Sequence, residues 1–300
     1  MTKKEITNIA GSVKVRLQNY SRNNSIEFNS VLLQYIQERF LFRISRSNYR
    51  HNFVLKGALL FLAHDISRFR PTKDIDLLGS YLPNKVELLK EIFQEIALVN
   101  FEDGLTFDSD SVRGEEIIEQ DEYHRVRIHI VARLGTAKQQ IQIDIGFGDV
   151  IFPEPVEIDY PTLLDYEAPQ LLVYSLESAI AEKFEAAVSL GIATSRMKDF
   201  YDLHYFASNK EFDLKTLQSA LLETFRNRQT SIEKRISIFE DKFKNDDRLQ
   251  SLWTSFLKKR LLNNDNSFSE IVSQIENFIE PVFVEVNTSK TWNCLGWEWK

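Results

Sequence analysis

Two segments of this chain alternate between apolar and polar residues with a period of two. In "YHRVRIHIVARL" (residues 123–134), Val126, Ile128 and Ile130 alternate with Arg125, Arg127 and His129. In "QQIQIDIGFGDV" (139–150), Ile141, Ile143, Ile145 and Phe147 take one parity, and Gln140, Gln142, Asp144 and Gly146 take the other. Successive side chains of a strand point to opposite faces, so this period predicts half-buried strands. The chain therefore contains a sheet with one apolar face and one polar face.

Elsewhere the spacing is helical. In "VLLQYIQERFLFRIS", Leu32, Leu33, Ile36, Phe40 and Ile44 recur near 3.6 residues and mark a helical lead-in over residues 1–50. "NKVELLKEIFQEIAL" reads as an amphipathic helix after the Pro83-Asn84 turn, inside a sheet-containing core placed at 51–168. The Pro-rich "VIFPEPVEIDYPTLLDYEAP" closes that core. Residues 169–284 are helical throughout, with segments such as "SLESAIAEKFEAAVSLG" and "RMKDFYDLHYFAS", and an aromatic tail occupies 285–300. The expected class is α+β: a small mixed sheet with flanking helices and an α-helical C-terminal region.

Composition narrows the setting. A 300-residue chain that is 43% hydrophobic and 12% aromatic can bury a sizeable core. The start, "MTKKEITNIAGSVKVRL", has no apolar run, and no stretch reaches the ~18 consecutive apolar residues that span a bilayer. The single cysteine, Cys294, excludes an internal disulfide and a cysteine-based zinc cage. A cytoplasmic protein without a membrane partner is expected. The net charge of −7 is unevenly spread. Residues 1–50 hold nine Lys and Arg against three Asp and Glu, residues 226–260 ten against five, and residues 51–225 sixteen against thirty. An acidic centre with basic flanks suits a metal site beside surfaces that grip a polyanion, or charge simply varying along solvated faces.

The acidic centre contains "RPTKDIDLLG" (70–79). On a strand, Asp74 and Asp76 share one face while Ile75 and Leu77 take the other. Two such carboxylates repel one another unless a cation neutralises them, and Mg²⁺ favours one or two carboxylates together with substrate phosphates. Asp144 repeats the arrangement on a later polar strand face. If the strands are neighbours, three carboxylates converge as two-metal phosphoryl transfer needs. Upstream, Gly57 in "FVLKGALLFL" permits close backbone approach to a phosphate, and Ala58 adds little bulk. Lys56, Arg70, Thr72 and Lys73 supply positive charge or a hydroxyl.

A second group of charges lies on the helices. Leu176, Ile180, Phe184, Ala187 and Val188 form an apolar stripe, and Lys183 sits at its edge between the small residues Ala179 and Ala186. Its ammonium either meets a phosphate or reaches out to water along its stem. Asp199 and Asp202 share one face of the next helix, where pairing with Arg196 or Lys198 is the ordinary alternative to a catalytic role.

Taken together and in order, "VLKGALLF", "RPTKDIDLLG", "IQIDIGFGD", "AIAEKFEAAVSLG" and "RMKDFYDL" resemble the AbiEii/AbiGii toxin family of nucleotidyltransferases, within the DNA polymerase beta-like superfamily. The resemblance spans roughly residues 35–290, and the closing "WNCLGWEWK" is similar to tails of this family. It implies that Gly57 and Ala58 contact a nucleoside triphosphate, and that Asp74 and Asp76 bind Mg²⁺ or Mn²⁺ with Asp144 as third acid. It further implies that Lys183 lies near the triphosphate and that Asp199, with Asp202 as second choice, is the late functional acid. One departure is visible: Gly57-Ala58-Leu59 carries no hydroxyl beside the glycine, which shifts attention to Arg70 and Thr72 for triphosphate binding.

The implied activity is transfer of a nucleoside monophosphate from an NTP to an acceptor hydroxyl, with RNA, tRNA included, as acceptor. The role is that of a toxin in a toxin–antitoxin or phage-defence pair, restrained by a cognate antitoxin. Arg226, Arg228, Lys234, Arg235, Lys258, Lys259 and Arg260 are candidate contacts to RNA phosphates. Two other readings use the same residues: a nucleotide-binding regulator without transfer, and a D-x-D glycosyltransferase. The absence of a dinucleotide-type glycine loop and of a long βαβ series disfavours the last.

Overall fold

The computed structural model describes residues 8–64, 72–118, 124–260, 265–284 and 289–300. Arg70 and Pro71 lie outside the described residues. The chain divides into two compact units. One comprises Met1–Gly148 and Val156–Val173; the other comprises Asp149–Pro155 and Tyr174–Lys300. No described helix is long and apolar enough to cross a membrane.

The first unit opens with helices α1 (Ile9–Asn23) and α2 (Phe28–Arg46), then β1 (Phe53–Lys56) and the short α3 (Leu60–Ala63). Next come β2 (Asp74–Gly79), α4 (Val86–Ala97), β3 (Leu105–Ile118), β4 (His124–Leu134), β5 (Ala137–Phe147), β6 (Val156–Asp159) and β7 (Gln170–Val173). Among the described residues, seven strands form one sheet in the order β3-β4-β5-β2-β1-β7-β6. The sheet is mixed: β2 runs parallel to β5 and β1 parallel to β7, and the other pairs are antiparallel. The fold class is α+β. The Pro-rich segment supplies β6 within this sheet, and β7 joins it to β1.

The predicted alternation is realised. Val126, Ile128 and Ile130 of β4 and Ile141, Ile143 and Ile145 of β5 are all at most 1% exposed. Each such side chain contributes roughly 2 kcal/mol of burial. Helices α2 and α4 cover that face, with Phe40 stacked on Phe93 at 6.0 Å and Phe93 edge-on to Phe53 at 5.3 Å. Ile75 and Leu77 join this core and anchor β2 from behind.

The basic excess of the lead-in is partly internal. Arg43 donates two hydrogen bonds to the buried carboxylate of Asp103 (2.8 and 3.1 Å), and Arg39 pairs with Glu38 at 2.9 Å. A buried guanidinium needs such a partner, so these two arginines are committed within the unit instead of facing a polyanion. Burial raises the Glu38 carboxyl to about 7, against the opposing pull of Arg39.

The second unit is helical: α5 (Leu176–Leu190), α6 (Met197–Asn209), α7 (Leu214–Asn227), α8 (Ile236–Phe239), α9 (Asp241–Lys244), α10 (Asp247–Arg260) and α11 (Phe268–Val284). Ser175 caps α5, its hydroxyl accepting from the backbone N–H of Ser178 at 3.1 Å. Asp213 caps α7 in the same way through Thr216 at 2.8 Å. The aromatic tail is not helical; it folds into a hairpin of β8 (Trp292–Asn293) and β9 (Glu298–Trp299). Trp292 is fully buried, 4.9 Å from Phe278, and its indole N–H donates to the carbonyl of Ala207 at 2.7 Å.

Candidate active site

The polar face of the sheet is organised by strand register. Asp76 of β2 lies opposite Lys56 of β1 on one side and opposite Asp144 of β5 on the other. Asp74 lies opposite Gln142. Asp74 and Asp76 thus share the face that the apolar residues of β2 do not use, two residues apart on one strand. Thr72 is half-buried just before β2.

Gly57 follows β1 and starts the turn into α3 with φ +67, a region that L residues avoid. A Cβ placed there would stand 2.6 Å from both Cβ and Cγ of Asp76. The glycine is therefore demanded twice, by its backbone angle and by the carboxylate against it. Ala58 next to it is buried.

Asp144 is heavily engaged. Arg127, its partner across β4 and β5, donates from Nε to Oδ1 and from Nη2 to Oδ2, both at 2.8 Å. The Gln142 side-chain amide donates to both oxygens at 3.2 Å. The hydrogen bond with Asp144 raises the Arg127 pKa, with burial opposing it. Among the described residues, no three His, Cys, Asp or Glu side chains gather as a group that could hold a metal. Register brings Asp76 and Asp144 side by side, but the Asp144 carboxylate is held in the grip of Arg127.

Sequence reasoning placed Arg127 on the polar face without assigning it a partner. The signal was present. The loop between β4 and β5 is the two-residue Gly135-Thr136, with Gly135 at φ +58, and Leu134 pairs with Ala137. A two-residue hairpin loop fixes register, and counting back from that pairing sets Arg127 opposite Asp144.

The helical unit carries its own charge cluster. Lys183 of α5 donates to Asp199 Oδ1 at 3.0 Å and to Asp202 Oδ2 at 2.8 Å, so both aspartates of α6 share one ammonium. Arg196 adds a bond from Nε to Asp199 Oδ2 at 2.6 Å. Both aspartates are at most 1% exposed. Burial alone would raise the Asp199 carboxyl; the charges of Lys183 and Arg196 outweigh it and hold the group well below the usual carboxylate range.

Two residues after Lys183, about 200° around the helix, Glu185 serves a different cluster. Arg228 pairs with Glu185 at 2.8 Å, Asp149 at 2.9 Å and Glu182 at 3.6 Å, and Thr230 donates to Glu185 at 2.5 Å. The Arg228 side chain is 14% exposed and three acids share its charge, which makes it a largely internal cation. Arg235 is likewise bound to Glu280 at 2.8 Å. Lys258 and Lys259 are exposed on α10; the side chain of Arg260 lies outside the described residues.

The sequence matches the family described as nucleotidyl transferase AbiEii toxin, of a type IV toxin–antitoxin system, over residues 39–274. The chain belongs to this family. It is a nucleotidyltransferase of the AbiEii toxin class, and the family uses a divalent metal and an NTP. Two solved structures share the fold. JHP933 of Helicobacter pylori is 17% identical, with 85% of this chain and 92% of that one covered at a TM-score of 0.51. A candidate nucleotidyltransferase of H. pylori is 16% identical, with 87% and 100% covered at a TM-score of 0.52. Among curated proteins, none matches the sequence.

Proposed function

We propose that this AbiEii-family protein moves a nucleoside monophosphate from an NTP to a hydroxyl of RNA, tRNA being the first acceptor to test, in a divalent-metal-dependent reaction. The acceptor oxygen bonds to the α-phosphorus, the bond from that phosphorus to its bridging oxygen breaks, and pyrophosphate leaves. The observation that carries this reading is the placement of Asp74 and Asp76 on one strand face against the side-chain-free Gly57. That pair suits a hard ion that takes its other ligands from water and phosphate. Mg²⁺ or Mn²⁺ held there would neutralise charge on the triphosphate and favour ionisation of the attacking hydroxyl.

The protein's own residues take the remaining roles. Gly57 and Ala58 bring the turn after β1 to the nucleotide, and Thr72 and Arg70 are assigned to the triphosphate where the turn lacks a hydroxyl. Lys183 is assigned to charge stabilisation during transfer, with Asp199 and Asp202 fixing its ammonium. Exposed lysines such as Lys258 and Lys259 are assigned to acceptor phosphates. The enzyme acts in the cytoplasm as a toxin of a phage-defence pair, restrained by a cognate antitoxin.

Incubation with each α-phosphate-labelled NTP and total RNA tests this reading. Label should enter RNA with at least one NTP, and Asp74→Ala or Asp76→Ala should abolish it. Nucleotide binding without transfer from any of the four NTPs would replace the enzyme reading with that of a nucleotide-binding regulator.

A further inference from the structure

The residues opposite one another across five strands form a rung of charge: Lys56, Asp76, Asp144, Arg127 and Glu115, on β1, β2, β5, β4 and β3. At its centre two carboxylates are direct neighbours, and a third, Asp74, lies one strand repeat away. Three carboxylates in one place would bind a divalent cation on their own. Asp144, however, already accepts two bonds at 2.8 Å from Arg127 and two at 3.2 Å from Gln142. A carboxylate offers about four lone-pair sites, so these four bonds fill its acceptor capacity. The fork of Arg127 is the stronger half, because both its contacts are charge-assisted and parallel. The Asp144 side chain is 11% exposed and that of Arg127 29%, so water competes weakly for the pair.

We propose that Arg127 is a positioning residue that keeps Asp144 out of the metal's ligand set while no nucleotide is bound. The nucleotide-free centre then offers a divalent ion only Asp74 and Asp76, which makes it a weak site. Firm metal binding waits for the phosphate oxygens of the NTP, so metal and nucleotide load together. The inference rests on the reading of Asp74 and Asp76 as metal ligands, and goes beyond it by giving Arg127 a role and taking Asp144 out of the resting site.

Mn²⁺ binding to the full-length protein without nucleotide, followed by electron paramagnetic resonance, tests this directly. Arg127→Met should free Asp144 and tighten Mn²⁺ binding about tenfold, as a third carboxylate joins the ligand set. The double variant Arg127→Met/Asp144→Asn should return to wild-type affinity. Arg127→Lys, which keeps the charge and loses the fork, should give an intermediate gain, and serves if the Met variant does not fold. An unchanged or weaker affinity in the single variants would overturn the proposal. So would a gain that persists in the double variant, because Asp144 would then not be its source, or a gain in Arg127→Met that is absent in the charge-keeping Arg127→Lys, because removal of a positive charge would then be its cause. Wild-type Mn²⁺ binding that is insensitive to Asp74→Asn and Asp76→Asn would instead sink the metal reading beneath it, and the proposal with it.

Discussion

Gly57 and Asp76 leave no room for a side chain between them: a Cβ on Gly57 would stand 2.6 Å from Cγ of Asp76. Because Gly57 also sits at φ +67, alanine there meets two penalties at once. The backbone term is about 1–2 kcal/mol. The collision is with Cβ as well as Cγ of Asp76, and a Cβ is fixed to its strand, so turning the carboxylate cannot relieve it and the turn or β2 must shift.

Gly57→Ala should therefore lower the Tm by more than the backbone penalty alone, at about 2–4 °C per kcal/mol for a unit of this size. It should remove NMP transfer at least a hundredfold more effectively than that stability loss explains, a one-ångström misplacement sufficing for such an effect. Thermal melts and labelled-NTP transfer on the same preparation make the comparison. A variant with full transfer would show that the position of Asp76 does not matter to the reaction.

Lys183 and Asp199 give a pH signature. The folded-state pKa of Asp199 is depressed below its ordinary 3.8. Its contribution to stability is therefore complete above that value and is lost as pH falls below it. Removing one member of a buried pair costs about 3–5 kcal/mol. Asp199→Asn should thus be destabilised by about 3 kcal/mol near neutral pH, and the gap to wild type should narrow progressively as pH falls below 3.8. Urea melts between pH 7 and 2.5 measure it; a gap that stays constant over that range would contradict the ion-pair account.

How far the sequence reveals the site depends on the kind of information each residue carries. The parity of Asp74, Asp76 and Asp144 is local, because side chains alternate along a strand, and their shared polar face follows from it. That β2 lies beside β5 is not local: the neighbours are some seventy residues apart and run parallel, a pairing no turn specifies. The Arg127–Asp144 pair is an intermediate case, fixed by a two-residue loop and readable by counting. Lys183 shows a limit of helical periodicity, which placed it at the edge of the apolar stripe and left phosphate and water as its alternatives, with no sign of a carboxylate. Its two aspartates become decisive only once α5 packs on α6. Arg228 is the same lesson reversed, since a basic stretch reads as surface until burial shows three acids around one guanidinium.

That last cluster makes a prediction of its own. Arg228→Ala would leave Asp149, Glu182 and Glu185 without their shared cation inside the helical unit. A loss of about 3–5 kcal/mol is expected, visible as a lower urea midpoint. RNA affinity measured on the fraction that remains folded should be unchanged, and so should its salt dependence. Exposed Lys258 and Lys259 should behave in the opposite way. Their replacement by Ala should leave the melt within about 0.5 kcal/mol of wild type and reduce the slope of log affinity against log salt by about one per lost phosphate contact.

Trp292 closes the helical unit from the tail. It is fully buried, donates to Ala207 at 2.7 Å, and lies within 5.6 Å of the rings of Phe278, Trp297 and Trp299. Its backbone N–H also donates to the carbonyl of Phe212 at 2.8 Å, tying the hairpin to the segment before α7. A Trp→Ala change in such a place costs about 3–5 kcal/mol. Trp292→Phe keeps most of the apolar area, but leaves the Ala207 carbonyl without this donor, at about 1–3 kcal/mol. The order of stability should be wild type, then Phe, then Ala, read from the loss of helical circular dichroism on heating. If Trp292→Ala melts like wild type, the hairpin contributes nothing to the helical core and the buried indole is incidental.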